Sequence, residues 1–108
     1  MSNPIFDRIR NDITEDSVVL YMKGTPDFPQ CGFSATAANI LKMLGVTFRG
    51  IDLLPDDGLR SAIREFADWP TVPLLFIKGE FVGGADIMKE MLQTGELQQL
   101  LKDKGITP

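Results

Sequence analysis

The sequence has no histidine and one cysteine in 108 residues, and each scarcity excludes a class of function. Without an imidazole base, hydrolases that activate serine or cysteine through histidine are excluded. Ordinary zinc sites with histidine ligands are excluded as well. A single cysteine cannot form a disulfide within the chain, so the protein is not a disulfide-stabilised secreted scaffold. Any thiol chemistry of Cys31 therefore involves a second molecule.

Basic residues are also few, because 11 Lys and Arg stand against 15 Asp and Glu and the formal charge is -4. No cluster of Lys and Arg forms a basic stripe, so we predict neither a nucleic-acid surface nor an anionic-lipid surface. No apolar run approaches the roughly 18 residues that a membrane-spanning helix needs. The first residues lack the basic, apolar and small-residue order of a secretory leader, and we therefore expect a cytoplasmic protein.

The organisation of the chain predicts one α/β domain over residues 1–108. The contents of 44% hydrophobic and 24% charged residues are ordinary globular values. Short apolar runs typical of strands alternate with helical periods, and no repeat or flexible linker interrupts them. The pattern predicts a four-stranded mixed sheet with about five helices on its two faces.

The individual elements follow from periodicity and from turn residues. A first helix begins at Asn3-Pro4, and the strand over residues 17–22 is central because it is apolar without alternation. A loop over residues 23–30 leads to a helix that begins just after Cys31, and Gly45 ends that helix. Further strands are predicted over residues 48–53, 74–77 and 81–82, a helix opens at Pro55, and the closing helices separate near Gly95. The buried helix faces are predicted to contain Ile5, Ile9, Ile13, Phe33, Ala37, Ile40, Leu41, Leu44, Leu59, Ile63 and Phe66.

Cys31 is the first candidate functional residue, because it lies at the predicted start of a helix. Backbone N–H groups and the positive end of the helix dipole favour thiolate there, and Lys23 at the mouth of the loop adds a positive charge. The alternative is that a lone cysteine is a small buried apolar residue. We favour the nucleophile, because Cys31 follows a proline-rich loop and lies outside the apolar stripe.

Two uses of this sulfur follow from counting atoms. If Cys31 attacks a disulfide, the mixed disulfide has no resolving thiol within the chain, so an external thiol must complete the reaction. If it binds iron, a two-iron cluster needs four thiolates and each chain offers one. Two chains and two small-molecule thiols supply four. Both uses require glutathione or a similar thiol.

Three sequence blocks resemble the signatures of CGFS-type monothiol glutaredoxins, and the similarity spans nearly the whole chain. The blocks are Lys23-Gly24-Thr25-Pro26 with Pro29 and Cys31-Gly32-Phe33-Ser34, then Trp69-Pro70-Thr71-Val72-Pro73, then Gly83-Gly84-Ala85-Asp86. The resemblance implies a thioredoxin-like fold, in which Pro73 follows a cis peptide bond. Two positions depart from many relatives, which carry a second cysteine where Ala85 stands and glutamine where Leu74 follows Pro73.

The resemblance also implies a function in iron–sulfur chemistry. Members of this family bind glutathione beside the cysteine and share a [2Fe-2S] cluster between two subunits, as a homodimer with the cluster and a monomer without it. They pass clusters to apo-proteins for transfer, storage and iron homeostasis, and they pair with BolA-type proteins. Cys31 is then the catalytic residue and the metal ligand. A glutathione-dependent oxidoreductase that removes glutathione from protein thiols is the alternative, and a non-catalytic adaptor is a third possibility.

Glutathione-binding positions carry over from the family residue by residue. Lys23 and Arg60 resemble the cations that hold the glycine carboxylate, and the Val72 backbone matches the partner of the cysteinyl part. Asp86, with the amides at its helix start, matches the site for the γ-glutamyl end. Ala85 and Phe33 are also predicted to bind the tripeptide, and for Phe33 the alternative is a packing residue that shields a cluster beside the thiol. Glutathione carries two carboxylates and one ammonium, so the charges are complementary. The alternative is that both cations are solvated and that the aspartate only caps its helix.

Overall fold

The computed structural model describes residues 3–106, which contain four strands and five helices. The strands are β1 (Val18–Met22), β2 (Arg49–Asp52), β3 (Leu74–Ile77) and β4 (Glu80–Gly83). The helices are α1 (Pro4–Glu15), α2 (Gly32–Met43), α3 (Asp57–Ala67), α4 (Ala85–Thr94) and α5 (Glu96–Asp103). The predicted arrangement of a four-stranded sheet with five helices is confirmed.

The sheet is mixed, with the spatial order β2-β1-β3-β4. β1 pairs with β2 in parallel, and the β1–β3 and β3–β4 pairs are antiparallel. All five residues of β1 are buried, as expected for a central strand covered on both faces. Met22 at the end of β1 stands beside Asp52 at the end of β2, so the loops that follow these two strands leave the sheet at the same edge.

Two apolar clusters cover the two faces of the sheet. Leu20 and Met22 pack with α2, α4 and α5 on one face, and Val19 and Tyr21 pack with α1 and α3 on the other. Because alternate residues of β1 enter different clusters, the strand is apolar at every position. Each fully buried Leu, Val or Met side chain contributes about 1.5–3 kcal/mol relative to exposure. Among residues 3–106, no helix has the length and apolar character needed to cross a membrane.

The predicted buried face of α2 is wrong at Phe33, which is 62% exposed. The inward position of the first turn belongs to Ser34, whose exposure is 0%. Ser34 continues the stripe formed by Ala37, Ala38 and Leu41 at helical spacing. Phe33 therefore points away from the core, and Leu44 at the end of the helix is only partly buried.

Helix and strand ends agree with the turn residues, with small shifts. Asn3 caps α1 and accepts the Ile5 N–H, while Gly45 and Gly95 have positive φ after α2 and α4. α3 begins at Asp57 rather than at Pro55, because Asp56 is the residue whose side chain caps the helix. β2 is shorter at both ends than the predicted strand.

Candidate functional site

The thiol of Cys31 lies at the start of α2, where its residue occupies the cap position in an extended conformation. The pKa of this partly exposed thiol is lowered, chiefly because the Ser34 N–H donates to the sulfur. The Phe33 N–H, the charge of Lys23 and the Ser34 hydroxyl lower the pKa further, while burial acts in the opposite direction. The helix start thus favours thiolate, in agreement with the argument from sequence.

The loop before Cys31 is closed by its own hydrogen bonds. The Gln30 N–H donates to the Lys23 carbonyl at 2.9 Å, and Gly24 forms a β-bridge with Pro29. Gly24 has a φ of 89°, and a Cβ there would approach the Phe28 carbonyl oxygen to 2.5 Å. Only glycine fits this turn without displacement of the backbone. The closed loop brings Lys23 and Cys31 to the same end of the sheet.

Ser34 is a site residue that the sequence argument did not single out. Its hydroxyl accepts the Lys23 backbone N–H at 3.0 Å, which joins the end of β1 to the first turn of α2. The same side chain contributes to the lowered pKa of Cys31. A polar residue at an inward position of an otherwise apolar helix face is the signal that could have identified it.

Four of the predicted glutathione-binding residues line a cavity of about 140 Å³. It lies between the loop before β3 and the start of α4, where the Val72–Pro73 peptide bond is cis as the family resemblance predicts. The lining residues are Phe33, Trp69, Thr71, Val72, Pro73, Gly84, Ala85, Asp86 and Ile87. Phe33, Val72, Ala85 and Asp86 are thereby brought together, and Phe33 connects the cavity to the helix turn that follows the thiol.

Backbone contacts leave little room at the back of this cavity. A Cβ on Gly84 would approach both the Pro73 carbonyl oxygen and Trp69 Nε1 to 3.2 Å. Trp69 packs edge-on against Phe81 with ring centroids 5.3 Å apart, and it also lines the cavity. Leu74, which follows Pro73, is a fully buried core residue.

Arg60 does not line the cavity. It lies in the first turn of α3, and its guanidinium pairs with Asp57 three residues earlier. About a third of the Arg60 side chain is exposed, so the guanidinium could exchange this exposed ion pair for a ligand at small cost. Lys23, in contrast, acts directly on the thiol through its charge.

Comparison with known proteins decides which family these features represent. The glutaredoxin family model matches residues 18–82. The chain belongs to the glutaredoxin family. A probable monothiol glutaredoxin 2 of Rickettsia typhi is 51% identical over 104 residues, which are 96% of this chain and 94% of the relative. The predicted resemblance to monothiol glutaredoxins is therefore confirmed.

Solved glutaredoxin structures have the same fold. The solution structure of a monomeric truncated mutant of Trypanosoma brucei 1-C-Grx1 has a TM-score of 0.87 and 40% identity, covering 98% of this chain and 96% of that one. The crystal structure of a buckwheat glutaredoxin-glutathione complex has a TM-score of 0.83 at 22% identity, covering 96% and 93%. The predicted thioredoxin-like fold of this glutaredoxin is confirmed.

The chemistry available to this glutaredoxin is centred on one sulfur. Cys31 supplies a thiolate near the surface, and Lys23 supplies a cation beside it. Within residues 3–106, no group of three or more Cys, His, Asp or Glu side chains is arranged to hold a metal ion. Cys31 can thus act as a nucleophile or as one thiolate ligand of a shared centre.

Proposed function

We propose that this glutaredoxin carries a [2Fe-2S] cluster between two subunits and passes it to apo-proteins, in transfer, storage and iron homeostasis. The observation that carries the proposal is the placement of its one thiol. Cys31 is partly exposed, its pKa is lowered, and the sequence offers it no partner thiol. Such a sulfur is available to a second molecule and resembles the thiolates that ligate iron.

The cluster is the cargo, and the donor set fits it by number and by chemistry. A [2Fe-2S] cluster held by thiolates takes four sulfurs. Two copies of Cys31 and two glutathione thiolates supply that number, so cluster loading converts an apo monomer into a homodimer. Release to an apo-protein then requires that acceptor thiolates replace all four ligands, of which the two from glutathione are not attached to the chain.

Glutathione is proposed to bind along the cavity beside Phe33. Val72 offers its backbone to the cysteinyl part, and Asp86 with the backbone of Ala85 at the start of α4 faces the γ-glutamyl end. Lys23 and Arg60 are proposed to hold the glycine carboxylate, the latter after leaving Asp57. The buckwheat relative was crystallised with glutathione, which supports this assignment by similarity of fold.

A BolA-type protein and apo iron–sulfur proteins are the proposed macromolecular partners, by family resemblance, and the cytoplasm is the proposed location. Neither nucleic acid nor membrane is among the proposed partners. The acidic net charge of -4 supports their exclusion.

A glutathione-dependent oxidoreductase is the second candidate, favoured by the lowered pKa of Cys31. The thiolate would attack the disulfide of a glutathionylated protein, releasing the protein thiol and forming a Cys31–glutathione disulfide. A second glutathione would then attack this disulfide, regenerating Cys31 and leaving oxidised glutathione. If the protein reduced a glutathione mixed disulfide no faster than the reaction without protein, this candidate would be excluded.

Anaerobic reconstitution with iron and sulfide tests the carrier proposal. Wild type and Cys31→Ser are each treated with and without glutathione, and visible absorbance and molecular mass are measured. We expect a coloured dimer only for wild type with glutathione. A colourless monomer under that condition would refute the proposal. Colour in Cys31→Ser would show that another group holds the iron.

Calorimetric titration with glutathione tests the binding residues. We expect Lys23→Met and Arg60→Met each to raise the dissociation constant about tenfold, because each removes a charge-assisted hydrogen bond. Lys102→Met in the last turn of α5 removes the same charge elsewhere and should leave the constant unchanged. An unchanged constant for Arg60→Met would leave Arg60 paired with Asp57 and outside the site.

A further inference from the structure

Asp52, the last residue of β2, makes contacts that reach the loop before the thiol. Its Oδ1 accepts the Gly24 N–H at 2.9 Å and the Leu54 N–H at 2.9 Å. One carboxylate oxygen thus connects the chain that leaves β1 to the chain that leaves β2. The connection is long-range in sequence, since Gly24 and Asp52 are 28 residues apart.

The Gly24 N–H needs this acceptor because Gly24 is buried among backbone atoms of its own loop, where water cannot replace the carboxylate. Gly24 is buried, and a Cβ there would approach the Gln30 nitrogen to 2.6 Å. Buried backbone N–H groups are nearly always paired, and loss of the partner costs more than an ordinary surface hydrogen bond. The carboxylate of Asp52 therefore fixes a specific point of the loop.

Gly24 lies in the loop between Lys23 and Cys31, the two charged groups of the proposed site. The backbone of Lys23 is held at both of its polar groups. Its N–H donates to the Ser34 hydroxyl, and its carbonyl accepts the N–H of Gln30, the residue just before Cys31. Displacement of Gly24 would therefore move Lys23 relative to the start of α2. From this geometry we propose that Asp52 is a positioning residue, which sets the loop geometry required for glutathione binding.

The geometry of the carboxylate, rather than its charge, carries this role. Asp52 forms no salt bridge within residues 3–106, and its resolved hydrogen bonds are those to the two backbone N–H groups. An oxygen at the same position would serve equally well without a charge. An oxygen moved by one methylene group would not, because the bond to Gly24 is directional. The proposal rests on the proposed glutathione site and adds a residue that touches no ligand.

Three substitutions separate geometry from charge. Asp52→Asn keeps the accepting oxygen and removes the charge, Asp52→Glu keeps the charge and displaces the oxygen, and Asp52→Ala removes both. Asp16→Ala is the matched control, because Asp16 caps the end of α1 just before β1, at the opposite end of the strand from Lys23. Glutathione affinity is measured by calorimetry, and amide hydrogen exchange of Gly24 is measured on the glutathione-free protein.

We expect Asp52→Glu and Asp52→Ala to raise the dissociation constant about tenfold, or about 1.4 kcal/mol, and to accelerate exchange at Gly24. Asp52→Asn and Asp16→Ala should stay close to wild type in both measurements. If Asp52→Ala does not fold, the comparison of Asp52→Asn with Asp52→Glu still decides.

Two results would overturn the inference while the proposed function stands. The first is wild-type affinity in Asp52→Glu. The second is binding by Asp52→Asn that is as weak as that of Asp52→Glu, which would show that an accepting oxygen at this position is not sufficient without the charge. Absence of heat with the wild type would contradict the proposed function itself and the inference with it.

Discussion

The Ser34 hydroxyl lies 3.0 Å from the backbone nitrogen of Lys23 and accepts its hydrogen bond inside the protein. Ser34 is fully buried and Lys23 is partly buried, so water has only limited access to this bond. It fixes the end of the central strand against the first turn of α2, where Cys31 lies. The bond thereby holds together the two ends of the loop that runs from Lys23 to Cys31.

Ser34→Ala should lower the free energy of unfolding by about 1–3 kcal/mol, because the Lys23 N–H loses its partner in a partly buried place. Urea denaturation measures the change. Thr36→Ala is the control, since the Thr36 hydroxyl bonds the Gly32 carbonyl on the exposed side of α2. The control should change the free energy by about 0.5 kcal/mol or less. Equal stability of Ser34→Ala and wild type would show that the bond contributes nothing.

The alkylation rate of Cys31 should follow a titration whose midpoint lies below the ordinary thiol pKa. The thiolate is the reacting form, so the rate rises with pH and reaches its plateau earlier than for an unperturbed cysteine. Lys23→Met and Ser34→Ala should each raise the midpoint, because each removes one cause of the lowered pKa. The rise should be only partial, since the Ser34 backbone N–H remains as the largest cause.

Phe33→Ala is the control for that titration. Phe33 lowers the pKa of Cys31 through its backbone N–H, which the substitution keeps. The midpoint should therefore match that of wild type. Iodoacetamide kinetics between about pH 5 and 10 cover the ordinary range of cysteine titration. A wild-type midpoint at the unperturbed thiol pKa would contradict the argument from the helix start.

The sequence was sufficient for the sheet and the position of the thiol, because both depend on strong local signals. The uninterrupted apolar run of β1 indicates a strand buried on two faces, and the proline-rich loop indicates that the helix begins beyond it. Helical spacing predicts the wrong face for Phe33, because a large aromatic residue at such spacing is usually buried. The buried role of Ser34 depends on a partner 11 residues away, which periodicity does not reveal.

The long-range contacts of the site were the part that the sequence could not supply. Asp52 reaches Gly24 across 28 residues, and this pairing follows from the parallel register of β1 and β2. Arg60 is predicted as a ligand residue by the family resemblance, whereas in the structure its guanidinium pairs with Asp57, three residues earlier on the same helix. Local pattern identifies the residue types at a site, whereas the sheet register determines which of them meet.

Gly24→Ala should destabilise the protein strongly and Gly32→Ala should not, although both glycines flank the thiol loop. At Gly24 the positive φ costs an alanine about 1–2 kcal/mol, and contact with the Phe28 carbonyl oxygen adds to this cost. At Gly32, the first residue of α2, a new Cβ would have no atom within 4 Å apart from its chain neighbours and the backbone of its own helix, and alanine should stabilise by about 0.4–1 kcal/mol. Thermal unfolding of the two variants measures the contrast. Similar unfolding temperatures for Gly24→Ala and Gly32→Ala would contradict the requirement for glycine at position 24.

Tyr21, the one tyrosine of the chain, should make the protein unstable at alkaline pH. Burial raises the pKa of its hydroxyl, and the negative charge of Asp12 raises it further. Because the pKa is higher in the folded state, the unfolded state loses its proton first, and stability falls as pH rises above about 10. The loss should approach about 1.4 kcal/mol for each further pH unit.

Tyr21→Phe separates this effect from the titration of lysines, which both proteins share. The variant keeps the ring that packs edge-on against Phe76 at 5.7 Å and lacks the group that titrates. Urea denaturation at a series of alkaline pH values should give a shallower decline for the variant than for wild type. In wild type, tyrosinate absorbance should appear together with unfolding, because the buried hydroxyl ionises only when the core opens. Tyrosinate that forms while the protein stays folded would show that Tyr21 is accessible to solvent.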